Sequence, residues 1–152
     1  SLSRNLRSSL IVRGIDEGLT VVTEYGKKSK GSTVNTDELL ETFVIDTELG
    51  AAFVTIESRE SGVGVGIFDD QGALREQDIE SIVQFIPDAT KLMWEAPLKS
   101  QQAHLLQRFG LDLNLGNISP EDVFSLESLR RGLRSDTLQM DQNHQILYGR
   151  GE

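Results

Sequence analysis

Three short apolar runs, each closed by a glutamate and followed by a helix-spaced segment, set the architecture of this chain. Residues 19–23 (LTVVT) end at Glu24, residues 51–56 (AAFVTI) at Glu57, and residues 91–94 (KLMW) at Glu95. Such short apolar runs read as strands, and the β-branched run 19–23 as one buried on both faces. The glutamates stand 33 and 38 residues apart, room for one strand and one crossover helix per unit. Such alternation builds a parallel sheet with right-handed crossovers.

The intervening segments carry helical spacing. Leu2, Leu6, Leu10, Ile11 and Ile15 predict an opening helix that Gly18 stops. Asn35 lies three residues before Glu38, a capping-box spacing, ahead of Leu39, Leu40, Phe43 and Val44. Ile79, Ile82, Val83 and Ile86 repeat at i, i+3, i+4 and i+7, and Pro87 ends them. Pro97 opens a helix with Leu98, Leu105, Leu106 and Phe109 on its inner side. A weaker strand at 111–115 precedes a helix capped by Ser119, with Val123, Leu126, Leu129 and Leu133 buried. The order is one helix and then four strand-helix units. A complete barrel of eight such units takes roughly 250 residues. The expectation is therefore an α/β chain of the (β/α)8 TIM-barrel class, residues 1–137 covering about its second half, and residues 138–152 forming a disordered polar tail.

The chain has no cysteine, which removes disulfides, thiolate metal sites and cysteine nucleophiles. Its net charge of -9 argues against a nucleic-acid partner. No apolar run approaches a membrane span and no signal segment opens the chain, so a cytoplasmic protein without a membrane partner is expected. The opening residues lack an initiator Met, which points to a piece of a longer gene product.

In a parallel barrel all strand ends face one rim. Glu24, Glu57 and Glu95 would then converge there, with Asn114 from the fourth strand. Clustered carboxylates call for a hard cation, and with no cysteine and two distant histidines Mg²⁺ is the natural choice. Magnesium takes one or two protein carboxylates, so not every glutamate need be a ligand. Lys27, Lys28, Arg59 and Lys99 border the rim as anion-binding groups, whereas Lys30 reads as a solubilising charge. Gly116 and Asn117 at a helix mouth offer backbone N–H groups to an anion. Glycines 62, 64 and 66 match no nucleotide loop and read as a lid or a close-approach surface. His104 reads as structural. Arg130, Arg131 and Arg134 suit the helix dipole or a subunit contact.

Together EYGKK at 24–28, ESRESGVGVGIFDDQG at 57–72, WEAPLKSQQ at 94–102, NLGNI at 114–118 and LESLRRGLRSDT at 126–137 resemble phosphosulfolactate synthase, over about residues 2–137. The resemblance implies a (β/α)8 barrel that adds sulfite to phosphoenolpyruvate with Mg²⁺, serving coenzyme M or sulfolactate formation. It also implies a lysine general acid, Lys28 ahead of Lys27. The metal candidates are then Glu24, Glu57 and Glu95. The substrate-binding candidates are Arg59, Glu60, Ser61, Lys99, Gln102, Asn114, Gly116 and Asn117. Two other readings stand beside it: another barrel lyase or aldolase acting on a small phosphorylated acid, and a non-catalytic, stress-associated or truncated relative. Half a barrel leaves two open sheet edges, so a homo-oligomer is expected.

Overall fold

The computed structural model describes residues 2–26, 31–59 and 61–138. Helix α1 (Arg4–Asp16) leads into β1 (Val22–Tyr25), α2 (Thr36–Glu48), β2 (Phe53–Ile56), α3 (Glu76–Phe85), β3 (Leu92–Glu95), α4 (Lys99–Phe109), β4 (Leu115–Gly116) and α5 (Val123–Arg130). The four strands form one parallel sheet in the order β1-β2-β3-β4. Neighbours in sequence are thus neighbours in space, as in a stretch of a TIM-barrel wall. Among the described residues, no helix is long and apolar enough to cross a membrane. The stretch expected to be a disordered tail falls, apart from Leu138, outside the described residues.

Register fixes which side chains share a face. Val54 pairs with Thr23 and Leu92, and Ile56 with Tyr25 and Trp94. Val54, Ile56, Leu92 and Trp94 all belong to the main core, where they meet Leu39 and Phe43 of α2, Ile79 and Ile82 of α3, and Leu105 and Leu106 of α4. Trp94 stacks on Phe109 at 5.7 Å between ring centroids. Because side chains alternate along a strand, the residues between these point the other way. That second face carries Val22, Glu24, Phe53, Thr55 and Met93, with Glu95 at the end of β3 and Glu57 just past the end of β2.

The first strand departs from expectation. It starts at Val22 rather than Leu19, and Glu24 lies inside it rather than at its end. Leu19 is 64 % and Val22 46 % exposed, so the strand is not buried on both faces. The physical reason is that β1 is an edge strand here, paired only with β2. α1 is likewise only lightly covered: Ile11 is buried, while Leu2, Leu6, Leu10 and Ile15 are exposed. At the other end β4 has only two residues, and α5 stops at Arg130 with Leu133 outside it and exposed.

The expected capping box at α2 forms only in part. The Asn35 side chain accepts from the N–H of Glu38 at 3.1 Å. The reciprocal position is taken by Tyr25, whose hydroxyl accepts from the N–H of Asn35 at 3.2 Å and donates to its carbonyl at 3.0 Å. Burial raises the Tyr25 pKa above its ordinary 10.0; the bond to Asn35 opposes the rise, and the nearby Glu38 charge adds to it. A pKa raised on folding means that this contribution to stability is whole below the unfolded pKa and is lost as pH rises through the folded one. Denaturation of Tyr25→Phe should therefore start about 1 kcal/mol lower at neutral pH. It should also decline less than the wild type above pH 10, and parallel curves there would refute the assignment.

The long stretch after β2 packs into the core. Val65, Ile67 and Phe68 are buried, and Phe68 bridges Leu74 in antiparallel fashion. The Asp69 carboxylate ties the turn by accepting from the N–H groups of Gln71 at 2.8 Å and Ala73 at 2.9 Å.

Candidate active site

Glu57 and Glu95 form the centre of the carboxyl-terminal rim. β2 pairs Ile56 with Trp94, so continuing by one residue sets Glu57 level with Glu95, which in turn pairs with Gly116. Glu95 Oε2 accepts from the buried Ser58 N–H at 2.7 Å and lies 3.5 Å from Asn117 Nδ2. The β3 carboxylate is thereby fixed from β2 on one side and approached from β4 on the other. Asn117 reaches it from a left-handed conformation, φ 55°, which an asparagine tolerates better than most residues.

Glu24 does not join that row. It pairs with Thr55, level with Met93, two residues and about 6.6 Å short of Glu57 and Glu95 along the strands. Accordingly, among the described residues no group of three carboxylate or imidazole side chains is placed to hold a metal. The register therefore sets Glu57 and Glu95 in one row and leaves Glu24 out of it. Two carboxylates in one row suit a small hard cation that keeps most of its waters, so Glu57 and Glu95 fit Mg²⁺ by donor chemistry.

The remaining candidates divide. Arg59 follows directly, half-buried, and Ser61 is exposed beyond it. Lys27, Lys28 and Glu60 lie outside the described residues. Their flanks are placed, since the Glu57 N–H donates to the Tyr25 carbonyl at 2.9 Å and the Gly66 N–H to the Ser32 carbonyl at 3.0 Å. Asn114 is a clear departure. Its Nδ2 donates to the carbonyls of Thr90 at 2.7 Å and Leu92 at 3.2 Å, at the amino-terminal end of β3 and away from the rim. The fourth strand begins at Leu115 rather than at residue 111, which puts Asn114 at its entrance.

Lys99 pairs with Asp122 at 3.0 Å, joining α4 to the turn before α5. Gln102 is buried with its Nε2 donating to the Ala96 carbonyl at 3.0 Å, just past the carboxyl end of β3, so it braces the β3–α4 connection. The anion seat expected near Gly116 and Asn117 is weakened by the protein's own acids. Residues 120–122 form a 3₁₀ turn carrying Glu121 and Asp122, and the Ser119 hydroxyl donates to Glu121, holding its carboxyl below the usual range. Negative charge at that helix entry opposes a second anion.

Two arginines that sequence patterning missed border Glu24. A cleft of about 480 Å³ between α1, α2 and the end of β1 is lined by Arg4, Arg7, Glu24, Tyr25, Gly26 and Thr33. Both arginines are engaged, Arg4 with Glu41 at 3.0 Å and Arg7 with Asp46. Only the fold brings α1 to this place; neither arginine has a local signal. A larger cleft, about 860 Å³, lies among Phe85, Pro87, Thr90 and Arg108, remote from the glutamates.

The model of the (2R)-phospho-3-sulfolactate synthase (ComA) family matches residues 1–136. The chain belongs to this family. A phosphosulfolactate synthase of Methanothermobacter thermautotrophicus is 41% identical over 131 residues, covering 85% of this chain and 50% of that protein. One of Methanocaldococcus jannaschii is 41% identical over 138 residues, with 90% and 55% covered. That of Bacillus subtilis is 38% identical over 135 residues, with 88% and 53% covered. The chain spans about half the length of the curated relatives it matches.

Proposed function

We propose that this chain is the second half of a phosphosulfolactate synthase barrel, which when assembled adds sulfite to phosphoenolpyruvate to give (2R)-phospho-3-sulfolactate. Membership in the family supports the reaction, and the carboxylate pair Glu57 and Glu95, fixed through Ser58, is the single observation that best supports the site. The sulfite sulfur lone pair forms the bond to the methylene carbon of the substrate. The double-bond electrons move toward the substrate carboxylate, and a proton then closes the adjacent carbon. Arg59 orients a carboxylate or phosphate oxygen pair with its planar fork. Lys28 delivers the proton, with Lys27 as the second choice. Glu57 and Glu95 would hold Mg²⁺, which when bound would supply Lewis-acid stabilisation of charge on the substrate carboxylate. A cytoplasmic setting belongs to the same proposal.

The open sides of the sheet call for a partner. Leu6, Leu10, Leu19 and Val22 are exposed at the β1 end, and Val123 and Phe124, the latter 85 % exposed, at the α5 end. An uncovered edge with apolar neighbours invites pairing. Either a second copy or the missing half of the family's chain would close the barrel. Size-exclusion chromatography followed by an assay of phosphoenolpyruvate loss with and without sulfite tests the whole reading. Sulfite-independent loss would instead favour a different barrel lyase, and none at all in a closed assembly would favour a non-catalytic relative.

Glu95→Gln keeps an oxygen to accept from Ser58 and removes the charge. The Mg²⁺ concentration for half-maximal rate should rise about tenfold or more, the scale on which disturbed metal sites lose affinity. An unchanged Mg²⁺ requirement would exclude Glu95 as a ligand.

A further inference from the structure

Gln101 uses its amide to fasten the glycine-rich segment that encloses Glu57. The side chain is 2 % exposed. Its Nε2 donates to the carbonyls of Gly62 at 2.7 Å and Gly72 at 3.0 Å, and its Oε1 accepts from the Leu98 N–H at 3.2 Å. One buried amide thus joins both ends of the 62–72 segment to the start of α4, whose first residue, Lys99, lies four positions after Glu95 ends β3.

The segment in turn leaves Glu57 no slack. Gly62 accepts this arrangement in the left-handed region, φ 66°, with its own N–H donating to the Arg59 carbonyl at 2.8 Å. Gly66, φ 65°, lies so close that a Cβ there would stand 2.6 Å from the Glu57 carbonyl oxygen. On the other side a Cβ on Gly26 would stand 2.8 Å from the Glu57 Cβ. Glu57 is therefore held between two glycines, one on β1's exit and one on the segment that Gln101 anchors. Ser58, the next residue, donates its N–H to Glu95.

We infer that Gln101 is a positioning residue: by tying residues 62 and 72 to α4 it sets the spacing of Glu57 and Ser58 against Glu95, and so the geometry of the carboxylate pair. This rests on the proposed role of that pair in holding Mg²⁺. Gly66 is then a close-approach residue beside the Glu57 carbonyl, and Gly62 is one beside α4, where a Cβ would stand 2.8 Å from Leu98 Cγ and 3.0 Å from the Gln101 amide.

Two variants test it on the 152-residue chain. Gln101→Met keeps the volume and removes every hydrogen bond; Gln101→Glu keeps the acceptor for Leu98 and removes both donors. Amide hydrogen exchange is followed at Gly64, Gly66, Thr55 and Trp94, and Mg²⁺ binding by calorimetry. In both variants protection at Gly64 and Gly66 should fall about tenfold while Thr55 and Trp94 keep theirs, as for a local opening. Mg²⁺ affinity should fall about tenfold as well, the effect of losing support behind a ligand. Unchanged protection at Gly64 and Gly66, an equal loss at all four amides, or a local loss with Mg²⁺ affinity intact would each overturn the inference. Failure of the synthase reading shows separately, as absence of sulfite-dependent turnover by the unsubstituted protein. If the unsubstituted protein binds no Mg²⁺, the positioning role falls, and the exchange data then report only a structural latch.

Discussion

Lys28→Ala should lower turnover of the assembled enzyme by about 10²- to 10⁴-fold, the range in which a positioned general acid contributes. The proposed anion and metal contacts to the substrate would remain, so KM for phosphoenolpyruvate should change far less than kcat. An ammonium with an ordinary pKa of about 10.4 is a slow donor at neutral pH, and only a nearby positive charge or burial brings it into range. The placement of its flanks is favourable. Tyr25 and Gly26 are tied to Glu57 on the side where the lysine segment leaves, and Gly31 and Ser32 are tied to the glycine segment where it returns, through Gly31 N–H to Gly64 carbonyl at 2.9 Å and Gly66 N–H to Ser32 carbonyl. Lys27→Ala is the companion: a small effect there and a large one at Lys28 confirms the order proposed. Normal turnover by Lys28→Ala would remove it as the acid, and a collapse only in Lys27→Ala would reverse the assignment.

Asp46→Ala should cost about 3–5 kcal/mol of stability. Asp46 is fully buried in α2, and Arg7 Nε from α1 donates to both of its oxygens, at 3.1 and 2.9 Å. The same guanidinium reaches the Glu24 carbonyl through Nη2 at 3.0 Å. One ion pair therefore ties α1 to α2 and to β1, where few apolar contacts do so. Removing the acid strands a largely buried guanidinium, and such a charge loses hydration without compensation. Urea denaturation of the chain is the measurement, with Asp46→Asn as a milder variant that keeps an acceptor. A loss below about 1 kcal/mol in the alanine variant, the level of an exposed pair, would show that the bridge carries no more than surface weight.

Much of the fold was legible because local periodicity reports which side of an element faces the core. Ile79 and Ile82, spaced for one helical face, are both fully buried, and the apolar run ending at Glu57 is a strand flanked by partners. The motifs also sufficed to indicate the family. At the edges the same logic failed. Leu19 and Val22 have the composition of a buried strand, yet they are exposed because burial depends on a neighbour beyond β1 that four strands do not supply. Asn114 looked like a strand-end ligand because its strand was expected to start three residues earlier than Asn114 itself; pairing of Leu115 with Trp94 moved it to the opposite end.

The sequence alone thus determined the succession of elements, the buried faces of α2, α3 and α4, the absence of cysteine and the supply of carboxylates. Tertiary structure decided which of those carboxylates share a row. Strand register is set by long-range packing, and a shift of two residues, about 6.6 Å, separates Glu24 from Glu57 and Glu95. It also gave Gln101 and Arg7 their partners, 39 positions away in each case, where no local pattern can register a hydrogen bond.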